Sequence, residues 1–580
     1  MADYINVLSN VKSSADIQRM PLKAHASGAV SVPAHISGET GTNILERYLV
    51  NQGVIASSKI SSAAGRSKAY KNNLRSKFQN NEAVIMGIII RSFGAKDNKG
   101  NQLLREGDIR GNFNNAVNRL DEIKNLGINT LHVLPVNPPG KKNAYGTAGS
   151  LYAPADFLKI DPALDDLNDP KDVKEEFRNF IKECHKRGIS VMLDLPSCAS
   201  FDLFERRKEL MAFEKDDTPK TPGGWNDIRM FDPWKDQTNR ELNEDLLNMH
   251  KDFIDMCIDL GIDGIRSDVA RTKPTEFWDI LINYSRRKDP EFAWLAESYT
   301  YEDASPQVNM NYDRPQDSLN AGFDSYYGQY HIFHEWDTAE KVIDYVIENL
   351  EMSKELPPGK SLIGSFGTHD DVSIMNHGGV AYTNLVSGMQ AALPMLNPYY
   401  FDGYQTGDDY MYDFENQTDS ETDTDSNECK VHTSKPDIFN FSRPLIGKHP
   451  EAGDFMKNTL DVRSNPKYHK ILTKGSFIPL KIENDSEGHI IAFLRHWNGR
   501  TLLLAANKDV NSSEQGIIKI PGLKSSQKLE NLFDSYGENS EFQAENGMLK
   551  VNLGRGRVHL FEIDTPDIEK SELKVYRQNI

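Results

Sequence analysis

A chain of 580 residues is too long for one ordinary hydrophobic core, so roughly two to four structural units are expected. With 38% hydrophobic and 26% charged residues and a mean hydropathy of −0.58, the composition is that of a globular protein, and no apolar run reaches the ~20 residues of a membrane helix. A formal charge of −18 argues against non-specific binding to nucleic acid or an anionic membrane and suits a neutral substrate. The start, MADYINVLSNVKSS, lacks the basic residues and apolar stretch of a secretory signal. Cys184, Cys198, Cys257 and Cys429 form no CxxC pair and read as free thiols, so the cytoplasm is the expected compartment.

Residues 1–80, rich in Ser, Ala, Gly and Asn and broken by Pro21 and Pro33, read as a partly disordered extension with a short helix around Asn43 to Asn51. The character changes at VIMGIII (84–90), an apolar run suited to a strand buried on both faces. Helix-like NNAVNRLDEIKNLG then precedes the strand INTLHVLPV, and VKEEFRNFIKECHKRG precedes ISVMLDLP. After an insertion, LNEDLLNMHKDFIDMCIDLG leads to IDGIRSDVA, and FWDILINYSRR to FAWLAES. GFDSYY, KSLIGSF and LNPYYFD supply three more strands, eight in all between about 84 and 401. Helices alternating with buried strands predict a (β/α)8 barrel with loop insertions over 81–470; an open doubly wound sheet is the alternative, disfavoured by the lack of a Gly-rich phosphate loop after the first strand.

The acidic segment ENQTDSETDTDSNE (415–428) reads as a solvated loop. From about 474 short strands follow at close spacing: SFIPLKIEN, IIAFLRHW, RTLLLAAN, GIIKIPG, MLKVNL and RVHLFEID. They predict an all-β antiparallel sandwich over 471–567, with 568–580 as a tail.

Three strands end in acids: GIDGIRSDVAR (261–271), WLAES (294–298) and GTHDD (367–371). Chemistry at an acetal needs such a set, with one carboxylate as nucleophile, one carboxylic acid as proton donor, and further charge for an oxocarbenium-like transition state. A nucleophile must be ionised, and Arg266 on the same side of the strand as Asp268 supplies a cation. The acid must keep its proton; Glu297 follows FAWLA, so an apolar setting and two nearby carboxylates are expected to raise its pKa.

With these motifs in this order, residues 84 to 565 resemble the α-amylase superfamily of retaining α-glycoside enzymes. The resemblance implies Asp268 as nucleophile, Glu297 as general acid/base, and His369 with Asp370 as the pair that binds sugar hydroxyls and stabilises the transition state. It implies Asp194 as the structural Asp after strand three, beside Arg266, and Tyr152 as the Tyr that stacks on the sugar. Trp225 and Trp234 are candidate sugar platforms, although packing explains them equally well.

Two departures matter. Cys198 and Ala199 stand where the family usually has an Asn-His pair, the Asn helping to hold calcium; a thiol is a poor calcium ligand, so no metal is expected at that site. Arg271 and Thr272 replace a Lys-His pair that many amylases carry after the nucleophile, so the acceptor side differs.

The implied function is a retaining enzyme of α-glucans or maltooligosaccharides, hydrolysing or transferring, that needs no redox cofactor. One alternative is a maltosyltransferase with a sugar-phosphate donor, since those members also depart from the Asn-His pair; Lys141, Lys142 and Arg271 are then candidates for the phosphate pocket. Another is a non-catalytic carbohydrate-binding member, which predicts loss of a catalytic acid, yet all three are present. Oligomeric state is not legible in this sequence.

Overall fold

The structure, a computed structural model, describes residues 22–24, 28–30, 70–96, 107–144, 149–222, 225–299, 314–409, 445–533, 540–564 and 572–580. Contacts divide the chain into two units, 1–71 and 72–580. In the first, Leu22–Ala24 pairs antiparallel with Gly28–Val30. The helix expected at 43–51, the acidic segment 415–428 and Cys429 lie outside the described residues.

The second unit is built on eight parallel strands: β1 (Ile85–Ile88), β2 (Thr130–Val133), β3 (Ser190–Leu195), β4 (Gly264–Ser267), β5 (Ala293–Ala296), β6 (Ser325–Tyr326), β7 (Ser361–Ile363) and β8, in two pieces (Leu396–Asn397 and Tyr399–Phe401). All are buried on both faces, as their continuous apolar runs require. Pro398 breaks β8 because it carries no N–H for the ladder. Residues before it pair with β7 and residues after it with β1, so β8 closes the ring. Closure decides for the (β/α)8 barrel over the open sheet.

Long helices fill most of the crossovers: α1 (Val173–Lys186) before β3, α2 (Glu244–Leu260) before β4, α3 (Thr275–Lys288) before β5, α4 (Ala339–Ser353) before β7 and α5 (Gly379–Ala392) before β8. Asp172 and Asn243 cap α1 and α2 by accepting from the N–H of Glu175 and Leu246. Gly261 ends α2 at φ +94°, a conformation that costs glycine least, and turns the chain into β4. Between β1 and β2 the single helix expected from NNAVNRLDEIKNLG is instead two, Phe113–Val117 and Leu120–Asn125. At the break Arg119 is drawn to the Phe93 carbonyl and to Asp402, both at 3.0 Å.

Side chains of alternate strand residues fill the barrel. Ile85, Met192, Ala293, Leu295, Ile363 and Tyr399 form one apolar cluster with Leu74 and Phe78 of the helix Leu74–Gln79. Although it falls within the expected extension, that helix packs under the barrel at the N-terminal ends of the strands: Leu74 lies against Gly264, and Lys77 donates to the Asn129 carbonyl and to Ser190.

After β8, α6 (Pro450–Ser464) leads into a sandwich of two four-stranded antiparallel sheets. Its strands are β9 (Ser476–Pro479), β10 (Ile482–Glu483), β11 (Ile490–Trp497), β12 (Arg500–Asn507), β13 (Glu514–Lys519), β14 (Glu541–Glu545), β15 (Met548–Leu553) and β16 (Val558–Ile563), ordered β9-β11-β12-β16 and β10-β13-β15-β14. β14, EFQAE, was not expected, because half-exposed polar residues hide its period. Ile478, Leu494, Leu503 and Phe561 of one sheet meet Ile518, Leu549 and Val551 of the other.

Two buried arginines fasten this part to the barrel. Arg463 donates to the carbonyls of Ala391, Leu396 and Asn81 at 2.6–2.9 Å, and Arg495 to those of Ala392 and Gly475. Both reach the C-terminal end of α5, where carbonyls lack helical partners. Among the described residues no helix is long and apolar enough to cross a membrane.

Candidate active site

The inward parity of the strands continues past their C-terminal ends. On β3 it runs Met192, Asp194; on β4 Gly264, Arg266, Asp268; on β5 Ala293, Leu295, Glu297. The three acids therefore converge over the barrel mouth, the face where such barrels place their chemistry.

Arg266 is the hub, with no solvent exposure. Its Nη1 donates to both oxygens of Asp194 (2.9 and 3.1 Å) and to Asp268 Oδ1 (2.8 Å), and its Nη2 lies 2.7 Å from Glu297 Oε2. Its Nε donates to the Tyr327 hydroxyl at 3.0 Å. Burial pushes the Asp268 carboxyl up, to about 6, helped by the charges of Glu297 and Asp194 and opposed by Arg266 and Ser197. Burial also penalises ionised Asp194, but Arg266 and His132 outweigh it and hold that carboxyl below its usual range.

Glu297 is not in the apolar setting expected for it. Besides the guanidinium, its Oε2 accepts from the Val269 N–H at 2.7 Å, and its Oε1 lies 3.3 Å from the Tyr299 hydroxyl. Val269, directly after Asp268, sits at φ +34°, a left-handed backbone that costs a β-branched residue roughly 1–3 kcal/mol. The contact with Glu297 is part of what holds it there.

Across the mouth, Tyr152 donates to Asp194 Oδ2 at 2.8 Å, lies 2.7 Å from His369 Nε2 and stacks on the His369 ring at 5.6 Å between centroids. Asp370 Oδ2 is 3.2 Å from His369 Nε2, and its side chain is about a quarter exposed. So Asp194, Arg266, Asp268, Glu297, Tyr152, His369 and Asp370 come together at one end of the barrel. Arg271 stands on the 3-10 turn Ala270–Thr272 just past Asp268. Lys142 makes an exposed ion pair with Glu205, and the backbone N–H groups of Lys141 and Lys142 donate to Asp202 at 2.8 and 2.9 Å. Trp234 is buried under Arg240, whereas Trp225 is half-buried against the cluster of Ala153, Cys198, Ala212, Ile228 and Met230.

Sequence reasoning missed His132, Tyr327 and Ser197. His132 bridges Asp194 (3.2 Å) and the Tyr399 hydroxyl (3.0 Å), and burial lowers its pKa. A histidine at an inward position of an apolar strand was the available signal. Tyr327 lies just beyond β6, and nothing local to it pointed to the site.

Cys198 fills the position where an Asn would help to hold calcium. Its thiol packs in an apolar cluster with Ala153, Ala212, Ile228 and Met230, 3.7 Å from Ser197 Oγ, and offers calcium a sulfur where that ion takes oxygen ligands. Elsewhere, His489, Asp509 and Glu514 of the sandwich bring three ligating atoms within 4.8 Å of one another, with His489 Nδ1 3.2 Å from Glu514 Oε1.

No protein-family model matches the chain. Among curated proteins it is similar to an α-1,4-glucan:maltose-1-phosphate maltosyltransferase of Myxococcus xanthus, with 29% identity over 216 residues, 34% of this chain and 31% of that one. It matches the protein of the same name from Bifidobacterium animalis at 23% identity over 455 residues, 71% of this chain and 54% of that one. Alpha-amylase MalA of Haloarcula japonica is 25% identical over 233 residues, 38% and 30% of the two chains. The chain thus spans about a third to a half of the length of these relatives. Among solved structures, an α-amylase from Lactobacillus plantarum superposes with TM-score 0.61 at 20% identity over 84% of this chain and 99% of that one. A maltogenic α-amylase from Thermotoga neapolitana gives TM-score 0.61 at 18% identity over the same shares. Both show the fold. With its closed barrel and C-terminal sandwich the chain has the fold of these α-amylases, and its sequence relatives are maltosyltransferases and α-amylases, consistent with the α-amylase superfamily.

Proposed function

We propose that this protein is a retaining enzyme of α-glucans or maltooligosaccharides. The observation that carries the reading is one buried guanidinium, Arg266, contacting both Asp268 and Glu297 at 2.7–2.8 Å. Two carboxylates sharing one cation are held close, which supports the spacing of about 5–5.5 Å that retention needs. Asp268 attacks the anomeric carbon while Glu297 protonates the leaving oxygen. Glu297 then takes a proton from water or from a sugar hydroxyl as that oxygen displaces Asp268. Asp370 and His369 bind hydroxyls of the same sugar, and Tyr152 stacks on it. Nothing in this sequence of steps calls for a redox cofactor or for calcium at Cys198. A cytoplasmic setting belongs to the same reading and is supported by three buried free thiols, Cys184, Cys198 and Cys257.

A second reading has its own support. Maltosyltransferases that are named for maltose 1-phosphate are prominent among the relatives, and one match covers 71% of this chain. In that reading the leaving group is phosphate, and Arg271, on the turn three residues past Asp268, is the basic candidate that follows the nucleophile in the chain.

The test is a product profile from maltoheptaose, with and without maltosyl phosphate, beside Asp268→Ala. Shorter sugars without the donor establish a hydrolase and longer ones a transglycosylase; elongation only with the donor establishes the second reading. Carbohydrate binding without turnover under both conditions would make the protein a binding member and overturn both.

A further inference from the structure

Lys273 is 1% exposed, yet among the described residues no carboxylate lies within ion-pair distance of its ammonium. Its Nζ donates to the Ser197 carbonyl at 3.2 Å and lies 3.4 Å from Thr272 Oγ1. It sits over the rings of Phe231 and Trp278, 5.5 and 5.6 Å from their centroids. Burying an ammonium without a counter-ion is costly, so a role that uses the charge is worth seeking. The residue it grips gives one. Ser197 turns both of its donors on Asp268 Oδ2, the backbone N–H at 3.1 Å and Oγ at 2.7 Å. Arg266 holds the other oxygen, Oδ1. The carboxylate is thus held from two sides, and Lys273 anchors the side that Arg266 does not reach.

We infer that Ser197 and Lys273 are positioning residues for Asp268: Ser197 orients the carboxylate and stabilises its ionised form, while Lys273 fixes Ser197 and adds positive charge behind it. The inference rests on the reading of Asp268 as the nucleophile. It also gives Cys198 and Ala199 a context, since the residue just before them takes up the nucleophile directly. The charged and titratable groups around Asp268 are Arg266 of β4, Asp194 at the end of β3, Glu297 after β5, Tyr152 across the mouth and Lys273 itself; Cys198 and His250 of α2 face Lys273, and Asp227 acts on Cys198 from beyond it. Burial depresses the lysine to about 8, and the Asp268 and Cys198 side chains oppose that shift. It is therefore mostly charged at neutral pH.

The test is the pH profile of kcat/KM for Ser197→Ala, Lys273→Met and Lys273→Arg on whichever glucan the parent enzyme turns over. Losing a donor or a nearby cation disfavours ionised Asp268, so the acid limb should move up by about 0.5–1 pH unit in Ser197→Ala and Lys273→Met. In both, kcat should fall more than KM rises. Lys273→Arg should keep the limb in place, and Lys273→Met should stay folded, because an apolar chain of similar volume replaces an unpaired buried charge. Acid limbs that stay put in folded Ser197→Ala and Lys273→Met would overturn the inference.

A parent protein inert on every glucan would sink the proposed function instead, and the clamp would then be read from thermal stability. A carboxyl whose folded pKa exceeds its unfolded value loses stability as pH rises from about 4 to about 6. Measured as the difference in Tm from Asp268→Asn in the same background, that loss should extend to higher pH in Lys273→Met. An unchanged window would overturn the clamp by this route too.

Discussion

At the scale of single residues, the site is a contest between burial and one cation. Asp268, held near 6, is ionised at neutral pH and protonates as the pH falls through that value. The acid limb of kcat/KM is accordingly expected near pH 6, measured with the free enzyme's substrate well below KM. The Tyr152 hydroxyl joins Asp194 to His369, so Tyr152→Phe leaves two buried polar groups short of a partner. That should lower kcat/KM by about tenfold or more and cost roughly 1–3 kcal/mol of stability, visible as a modest fall in Tm. Because Cys198 presents a thiol where an oxygen ligand would be needed, prolonged dialysis against EDTA should leave the product profile and rate unchanged. A loss of activity restored by calcium would contradict this.

At the scale of elements, all eight barrel strands and seven of the eight sandwich strands fall in runs legible as apolar stretches bounded by Gly, Pro or polar turns, although the single run SFIPLKIEN holds both β9 and β10. Acids at strand ends are less readily sorted. Asp263 and Asp268 bracket the same strand, but Asp263 accepts from the Val191 N–H at 2.7 Å and pairs with His185 at 2.8 Å at the bottom, while Asp268 faces the mouth. Parity and strand direction separate them, and both are tertiary facts read backwards from a parallel barrel. The ends of α5 and β8 depend on Arg463, which no pattern announces. Arg463→Met should strip the donors from three buried carbonyls and lower stability by roughly 3 kcal/mol or more, visible as a fall in Tm with kcat retained.

At the scale of the whole molecule, residues 572–580, read from sequence only as a tail, tie its parts together. Phe477 and Tyr576 exchange backbone hydrogen bonds at 2.9 Å, and Asn579 accepts from the Gly359 N–H at 2.8 Å. Gln578 bonds to the Lys360 carbonyl and accepts from Asn81 Nδ2, both at 2.7 Å. Truncation before 572 should therefore lower Tm without altering KM, since these contacts lie at the end of the barrel opposite the acids. The amino-acid sequence by itself determined the class of fold and singled out the acids that meet at the barrel mouth, because hydrophobic period and strand-end charge are local properties that survive without coordinates. Only the tertiary structure decided how those acids are held. His132, Ser197, Tyr327 and Lys273 come from four separated stretches of chain, and their roles follow from packing around one buried guanidinium.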